Sequence, residues 1–316
     1  MKLAFVFPGQ GSQSIGMLAE LAAHEPIVQD TFGEASQALG YDLWELCQHG
    51  PEERLNATEQ TQPAMLAAGV AVWRVWEAHG GALPLVCAGH SLGEYSALVA
   101  AGVLEFGAAV SLVQLRGRLM QQAVPEGEGA IAAVLGLDDD VVVGICTDLS
   151  TNGGLGLVAA VNFNAPGQVV IAGHTAAVQQ ALEALREAGA RKAVPLPMSV
   201  PVHCELMRPA AAQLLQRLHA AAPRAALIPV VQNATVSVNE TPEAIVHALG
   251  EQLYTPVHWA QTVQKLAARP SELLIECGPG RVLSGLARRI DRSLRCLPVF
   301  DPKSLDVALR AAQESQ

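Results

Sequence analysis

An α/β fold with a parallel-sheet core and one inserted small domain is predicted for this 316-residue chain from three observations. Short apolar runs are each followed by a glycine-bearing turn and a helical pattern, the alternation that builds a parallel sheet. After Pro125-Glu126-Gly127-Glu128-Gly129 the alternation changes, and two strand-like runs follow one another across a Pro166-Gly167 turn. Hydrophobic residues make up 50% of the chain and charged residues 16%, which is ample material for a large core and unlike a disordered composition.

Taken in order, Leu3 to Phe7 reads as a buried strand closed by Pro8-Gly9-Gln10-Gly11. Helical patterns occupy roughly 15–39, 60–79, 92–101 and 106–123, with a second strand at 84–88. Then come a strand at Ala130–Leu135 and a helix opening at Asp138-Asp139-Asp140. Strands at Leu157–Asn162 and Gln168–Ala172, a helix at Thr175–Ala188 and a strand at Lys192–Leu196 complete the segment. The order β-α-β-β-α-β is the ferredoxin-like arrangement, so a small domain is placed at 127–198, inserted in a large domain of 1–126 and 199–316. The main body resumes at Pro201 with a helix at 205–221, strands near 227–232 and 272–277, and a helix after Gly278-Pro279-Gly280.

Gly89-His90-Ser91-Leu92-Gly93 follows the apolar Leu85-Val86-Cys87-Ala88 and leads into a helix-forming run from Glu94 to Ala101. Strand, sharp turn and helix with serine at the apex form the Gly-x-Ser-x-Gly nucleophile elbow of α/β-hydrolases. The flanking glycines permit the strained turn, and the new helix points free N–H groups at any developing oxyanion. The bland alternative is an ordinary strand–helix connection with serine as N-cap. A serine nucleophile needs a base. His90 is adjacent, but neighbours in a tight elbow point in different directions; His203, in Ser199-Val200-Pro201-Val202-His203-Cys204, lies at the predicted hinge where a cleft forms. A satisfied structural histidine is the alternative there. No acid between Ser91 and His203 sits in an obvious strand-end loop, so a Ser–His dyad is expected, its imidazole oriented by a backbone carbonyl.

In the helix 106–123, Ala109, Leu112, Val113, Arg116 and Met120 share one face. Arg116 therefore stands in an apolar stripe and needs an anion: an internal carboxylate, or a substrate carboxylate held bidentately. The Gln10 backbone N–H, just past the first strand, could join that of Leu92 as a two-donor oxyanion hole, unless the segment is a simple turn. No dinucleotide fingerprint or P-loop occurs. The six cysteines stand singly, without metal or redox spacing, which fits a reducing compartment. A net charge of −10 argues against nucleic acid. The N-terminal apolar run is too short for a signal segment, and Ala64–Trp76, broken by Gly69 and Arg74, is too short for a membrane span. A cytoplasmic protein without membrane or metal is expected.

Together these residues resemble the malonyl-CoA:acyl carrier protein transacylases of dissociated fatty acid synthesis, along essentially the whole chain. The markers are Phe5-Val6-Phe7-Pro8-Gly9-Gln10-Gly11-Ser12-Gln13, Gly89-His90-Ser91-Leu92-Gly93-Glu94, Gln114-Leu115-Arg116-Gly117, Val161-Asn162-Phe163-Asn164, Val200-Pro201-Val202-His203 and Glu251-Gln252-Leu253-Tyr254. The resemblance implies a hydrolase-like large domain in which Ser91 is acylated, His203 is its base, Arg116 holds the malonyl carboxylate, and the backbone N–H groups of Gln10 and Leu92 form the oxyanion hole. It further implies that the Gln252 carbonyl orients His203 and that Asn162 and Gln62 line the site. Val202 stands where stand-alone members often carry serine, so preference for malonyl rests on the overall likeness. Malonyl-CoA and the carrier protein's phosphopantetheine are substrates, no cofactor is expected, and the chain is expected to be a monomer. The carrier protein is acidic, so docking is expected at local basic clusters: Arg191 with Lys192, and Arg288 and Arg289 with Arg292 and Arg295 on a late helix. A thioesterase with an acid partner for His203, a non-catalytic carrier-binding scaffold, and loading of a malonate decarboxylase are the competing readings.

Overall fold

The structure, a computed structural model, describes residues 3–198, 200–268 and 273–314. The chain opens with β1 (Leu3–Phe7), α1 (Ala19–Ala22), α2 (Pro26–Leu39), α3 (Leu43–His49), α4 (Glu52–Asn56), α5 (Thr58–Ala78), β2 (Val86–Gly89), α6 (Gly93–Ala100) and α7 (Phe106–Gln122). A second unit follows, β3 (Gly129–Leu135), α8 (Asp139–Asn152), β4 (Val158–Ala165), β5 (Gln168–His174), α9 (Thr175–Glu187) and β6 (Lys192–Pro195). The chain returns through α10 (Arg208–Ala220), β7 (Val230–Gln232), β8 (Ser237–Val238), α11 (Pro242–Gln252), α12 (Trp259–Ala268), β9 (Leu273–Cys277), α13 (Val282–Ile290), β10 (Arg295–Val299) and α14 (Pro302–Gln313).

Among the described residues the outer groups build one six-stranded sheet, ordered β10-β9-β1-β2-β7-β8 and parallel except at the β7–β8 edge. Every residue of β1 is buried, as a central strand covered on both faces requires. Phe5 meets Trp73 and Trp76 of α5 edge-on, at centroid distances of 5.3 and 5.2 Å. Ala4 and Val6 point the other way, into a cluster with Trp259 and Val263 of α12 and Leu283 and Leu286 of α13. Because β1 and β2 are parallel and their ends pair at Phe7 and Gly89, the loops that follow them meet at one edge of the sheet. That carboxyl edge is where open α/β sheets place their ligands.

The middle group forms a four-stranded antiparallel sheet, ordered β4-β5-β3-β6. One face carries α8 and α9 on a core of its own that includes Val142, Cys146, Val178 and Leu185. The other face contributes Ile131, Val170 and Ala172 to the main core. β4 is also tied to the segment before α12: the Phe163 N–H donates to the Val257 carbonyl and the Val257 N–H to that of Val161, both at 2.9 Å. No described helix is long and apolar enough to cross a membrane.

Several expectations need correcting. The single helix expected over 15–39 is two, α1 and α2, and Pro26, which lacks an N–H to continue an earlier helix, takes the first position of α2. The arginines expected on one late helix are divided: α13 ends at Ile290, and Arg295 opens β10. Arg292 falls in the intervening turn, where Asp291 Oδ1 accepts from both the N–H and the hydroxyl of Ser293. Helices α3, α4, α11, α12 and α14 and strands β8 and β10 were not anticipated. Ser199, at the expected return to the large domain, and Glu272, at the start of an expected strand, lie outside the described residues.

Candidate active site

Ser91 sits between β2 and α6 with φ +50°, in the left-handed region that costs a side-chain-bearing residue on the order of 1–3 kcal/mol. The turn is held from both sides. A Cβ on Gly93 would overlap the Phe7 carbonyl oxygen, and one on Gly89 would overlap the backbone of Gly93, so only glycine lets α6 start against β1. Asn233, just past β7 and fully buried, accepts from the Ser91 N–H and donates to the Gly89 carbonyl, each at 2.8 Å. Leu92 is the N-cap of α6, where first-turn amides have no intrahelical acceptor.

His203 is buried, also left-handed at φ +58°, and its Nε2 lies 2.7 Å from Ser91 Oγ. Its Nδ1 lies 2.7 Å from the Gln252 carbonyl oxygen. A carbonyl only accepts, so Nδ1 carries the hydrogen and Nε2 presents its lone pair to the serine hydroxyl. Burial, aided by the positive charge of Arg116 and opposed by the Gln252 bond, lowers the His203 pKa to about 3. The imidazole is thus neutral and ready to accept a proton. His90 turns away, with its Nε2 2.7 Å from Asn164 Oδ1 and its ring edge-on to Trp259.

Arg116 on α7 is 1% exposed. Its acceptors among the described residues are neutral oxygens: Gln62 Oε1 at 2.9 Å from Nη1, Gln252 Oε1 at 3.0 Å from Nη2, and Ser91 Oγ at 3.4 Å from Nη2. Its Nε is buried without an acceptor in hydrogen-bond geometry. A guanidinium has five N–H donors, so this one keeps donors for an anion. The internal carboxylate that could have satisfied it is absent among the described residues; Glu94, buried on α6, acts on it only through its field.

Ser91, Arg116 and His203 open onto one cavity of about 210 Å³. Gln10, Leu92 and Met120 join them from the large sheet's side, and Asn162, Val170 and Leu196 close it from the antiparallel unit. β-bulges in β4 around Asn162 re-aim that strand at the cavity. Gln62 is the exception among the expected lining residues: it packs behind Arg116 and donates to Met120 Sδ at 3.3 Å. Arg191, Arg288, Arg289 and Arg292, from opposite sides, line a second crevice, which shares Gln168 with the first. Lys192 lies exposed on β6 and Arg295 on β10, both outside that crevice.

Sequence reasoning missed Asn233, Glu94 and the side chain of Gln252. Signals existed for the first two: Gln232-Asn233 is a polar pair at the end of an apolar strand, and Glu94 begins an otherwise apolar helix. Glu94 accepts from the Asn233 N–H, Gln252 Nε2 and Gln232 Nε2, and burial pushes its carboxyl up to about 7 against the pull of those donors and of Arg116.

Residues 4–295 match the family described as acyl transferase domain. The chain is 54% identical to the malonyl CoA-acyl carrier protein transacylase of Salmonella typhimurium over 98% of this chain and 99% of that one. It is 44% identical to the enzyme of the same name from Bacillus subtilis, over 99% and 98%. Among solved structures it is similar to a type II PKS acyl-carrier protein complex with its malonyl-transacylase, PlMCAT:AntF, with TM-score 0.96, 53% identity, and coverage of 98% of this chain and 100% of that one. The malonyl-CoA:acyl carrier protein transacylase FabD of Xanthomonas oryzae pv. oryzae matches with TM-score 0.96 and 54% identity over 98% and 99%.

An imidazole NMR titration should find His203 neutral, with its proton on Nδ1, from about pH 8 down to about pH 5. Burial and a nearby cation both disfavour the imidazolium, so protonation shifts to lower pH; a charged His203 near pH 6.5 would contradict the geometry.

Proposed function

We propose, from the premise that this chain belongs to the acyl transferase domain family, among the malonyl-CoA:acyl carrier protein transacylases, that it moves a malonyl group from coenzyme A to the pantetheine thiol of acyl carrier protein. The product would supply fatty acid biosynthesis. One observation carries the reading: a serine paired with a neutral imidazole and a buried guanidinium lacking an anion share one cavity.

In the proposed cycle His203 Nε2 takes the Ser91 hydroxyl proton and Oγ adds to the malonyl thioester carbon. The carbonyl electron pair moves onto oxygen, which the N–H groups of Gln10 and Leu92 hold; losing one such donor costs on the order of 100-fold or more in rate. Collapse breaks the carbon–sulfur bond, and the CoA thiolate leaves with the proton from His203. The carrier protein's thiol then gives its proton to His203 and attacks the malonyl-serine ester, and Ser91 departs reprotonated. The Gln252 carbonyl keeps the imidazole in the required tautomer throughout. Arg116 takes the malonyl carboxylate on its uncommitted donors, and the long 3.4 Å contact to Ser91 yields to it. Asn162 lines the acyl site, and Gln62 steadies Arg116 from behind.

The unit at 127–198 is read as a ferredoxin-like insertion, which its β-α-β-β-α-β order supports. The crevice of Arg191, Arg288 and Arg289, with Lys192 beside it, is read as the docking surface for the acidic carrier protein. Its adjacency to the acyl cavity through Gln168 supports this. The chain is read as a cytoplasmic monomer needing no cofactor.

Arg116→Ala should lower malonyl transfer by about 100-fold, the scale for unpairing a buried hydrogen-bonded charge, while acetyl transfer falls far less. Equal losses with both donors would remove the carboxylate clamp. Reversing charge at Arg288 and Arg289 together should raise KM for carrier protein severalfold, more at low salt, and leave KM for malonyl-CoA unchanged. Unchanged kinetics would leave that surface without this partner.

A further inference from the structure

Glu94 is fully buried three residues after Ser91, and the cycle above gives it no part. Every hydrogen bond to its two oxygens among the described residues comes from a donor: the Asn233 N–H at 2.9 Å, Gln252 Nε2 at 2.9 Å and Gln232 Nε2 at 3.1 Å. Two of these partners hold reacting groups. Asn233 holds the backbone leading into Ser91, accepting from its N–H and donating to the Gly89 carbonyl. Gln252 spends its carboxamide oxygen on Arg116 Nη2 and its carboxamide nitrogen on Glu94 and on the Ser91 carbonyl.

A carboxamide is nearly symmetric in shape, so sterics alone do not decide which way Gln252 faces. Turned over, its NH₂ group would meet the donors of a guanidinium, and its oxygen would meet the Glu94 carboxylate. We propose that Glu94 is a positioning residue: as an acceptor-only group behind Gln252 it fixes the carboxamide with its oxygen toward Arg116, and so keeps the guanidinium turned to receive the carboxylate of the incoming acyl group. The same arrangement sets a negative charge one side chain removed from Arg116. That charge eases burial of the cation without consuming the donors an ion pair would occupy.

This inference rests on the transacylase reading and deepens it at the same site. The test compares kcat/KM for malonyl-CoA and for acetyl-CoA, which lacks the carboxylate, in the whole chain and in Glu94→Gln at about pH 8, above the carboxyl's own titration. Glutamine leaves at most a neutral oxygen toward Gln252 Nε2, because its NH₂ replaces either the oxygen that serves Gln232 or the one that serves both Asn233 and Gln252, so the bond to a charged group is lost in either orientation. The malonyl-to-acetyl ratio should fall about tenfold or more, the worth of one hydrogen bond to a charged group. A purely structural residue would depress both substrates together, and an unchanged ratio in the folded variant overturns the proposal. A raised ratio also overturns it, since Glu94 would then merely offset the charge of Arg116. Should Glu94→Gln not fold, Glu94→Asp gives the reading: its carboxylate, withdrawn by one methylene, should lower the ratio less, and a wild-type ratio there overturns the proposal. Wild-type protein that transfers no malonyl group would instead refute the transacylase reading.

Discussion

A guanidinium removed from water and given only neutral oxygens is the constraint around which this site is organised. Burying a charge costs several kcal/mol unless partners compensate, and an adjacent carboxylate would have been the simplest compensation. Arg116 instead has the amides of Gln62 and Gln252, the field of Glu94 and the ring of Tyr95, whose centroid is 5.6 Å from the guanidinium carbon. That arrangement holds the cation while leaving it short of an anion. In the proposed reading, a small acyl group ending in a carboxylate would supply what is missing, in a cavity of about 210 Å³ that Ser91 also lines.

The same cation acts on His203, the proposed base. With Arg116 close and water excluded, an imidazolium at His203 is penalised twice, and its pKa falls to about 3. Such a base remains unprotonated at neutral pH but is weak in solution terms, so it depends on placement. Placement comes from Gln252, whose main-chain oxygen fixes the tautomer and whose side chain reaches Arg116, Ser91 and Glu94. One residue therefore couples the proposed nucleophile, base and clamp, and α6, one of the elements it joins, starts from the edge where β1 and β2 end. The left-handed backbones of Ser91 and His203 are sustained by this surrounding framework.

Much of this was legible in the sequence because it was local. The elbow is written in Gly89 and Gly93, whose missing side chains allow α6 to meet β1, and the misplaced charge of Arg116 is visible from helical periodicity alone. Helix α2 was overrun because the pattern from 15 continues past Pro26 in hydrophobicity but not in hydrogen bonding. Helices α11 and α14 carried readable starts, Thr241 and Asp301 each followed by proline, though both are short. What could not be read is contact between distant segments. Asn233 lies 142 residues from Ser91 and Gln252 lies 136 from Arg116, and their side-chain bonds exist only once the sheet order is set. Arg191 and Arg289 looked like separate clusters for the same reason, and they face one crevice only after the small sheet packs against α13.

A crystal structure of the acyl-enzyme formed with malonyl-CoA would address the core of this account most directly. Malonyl transfer through this site requires an ester at Ser91 Oγ whose free carboxylate makes paired hydrogen bonds with Arg116, while His203 still donates to the Gln252 carbonyl. An ester whose carboxylate points to solvent or into the arginine-lined crevice, with Arg116 still bound only to its glutamines, would contradict it.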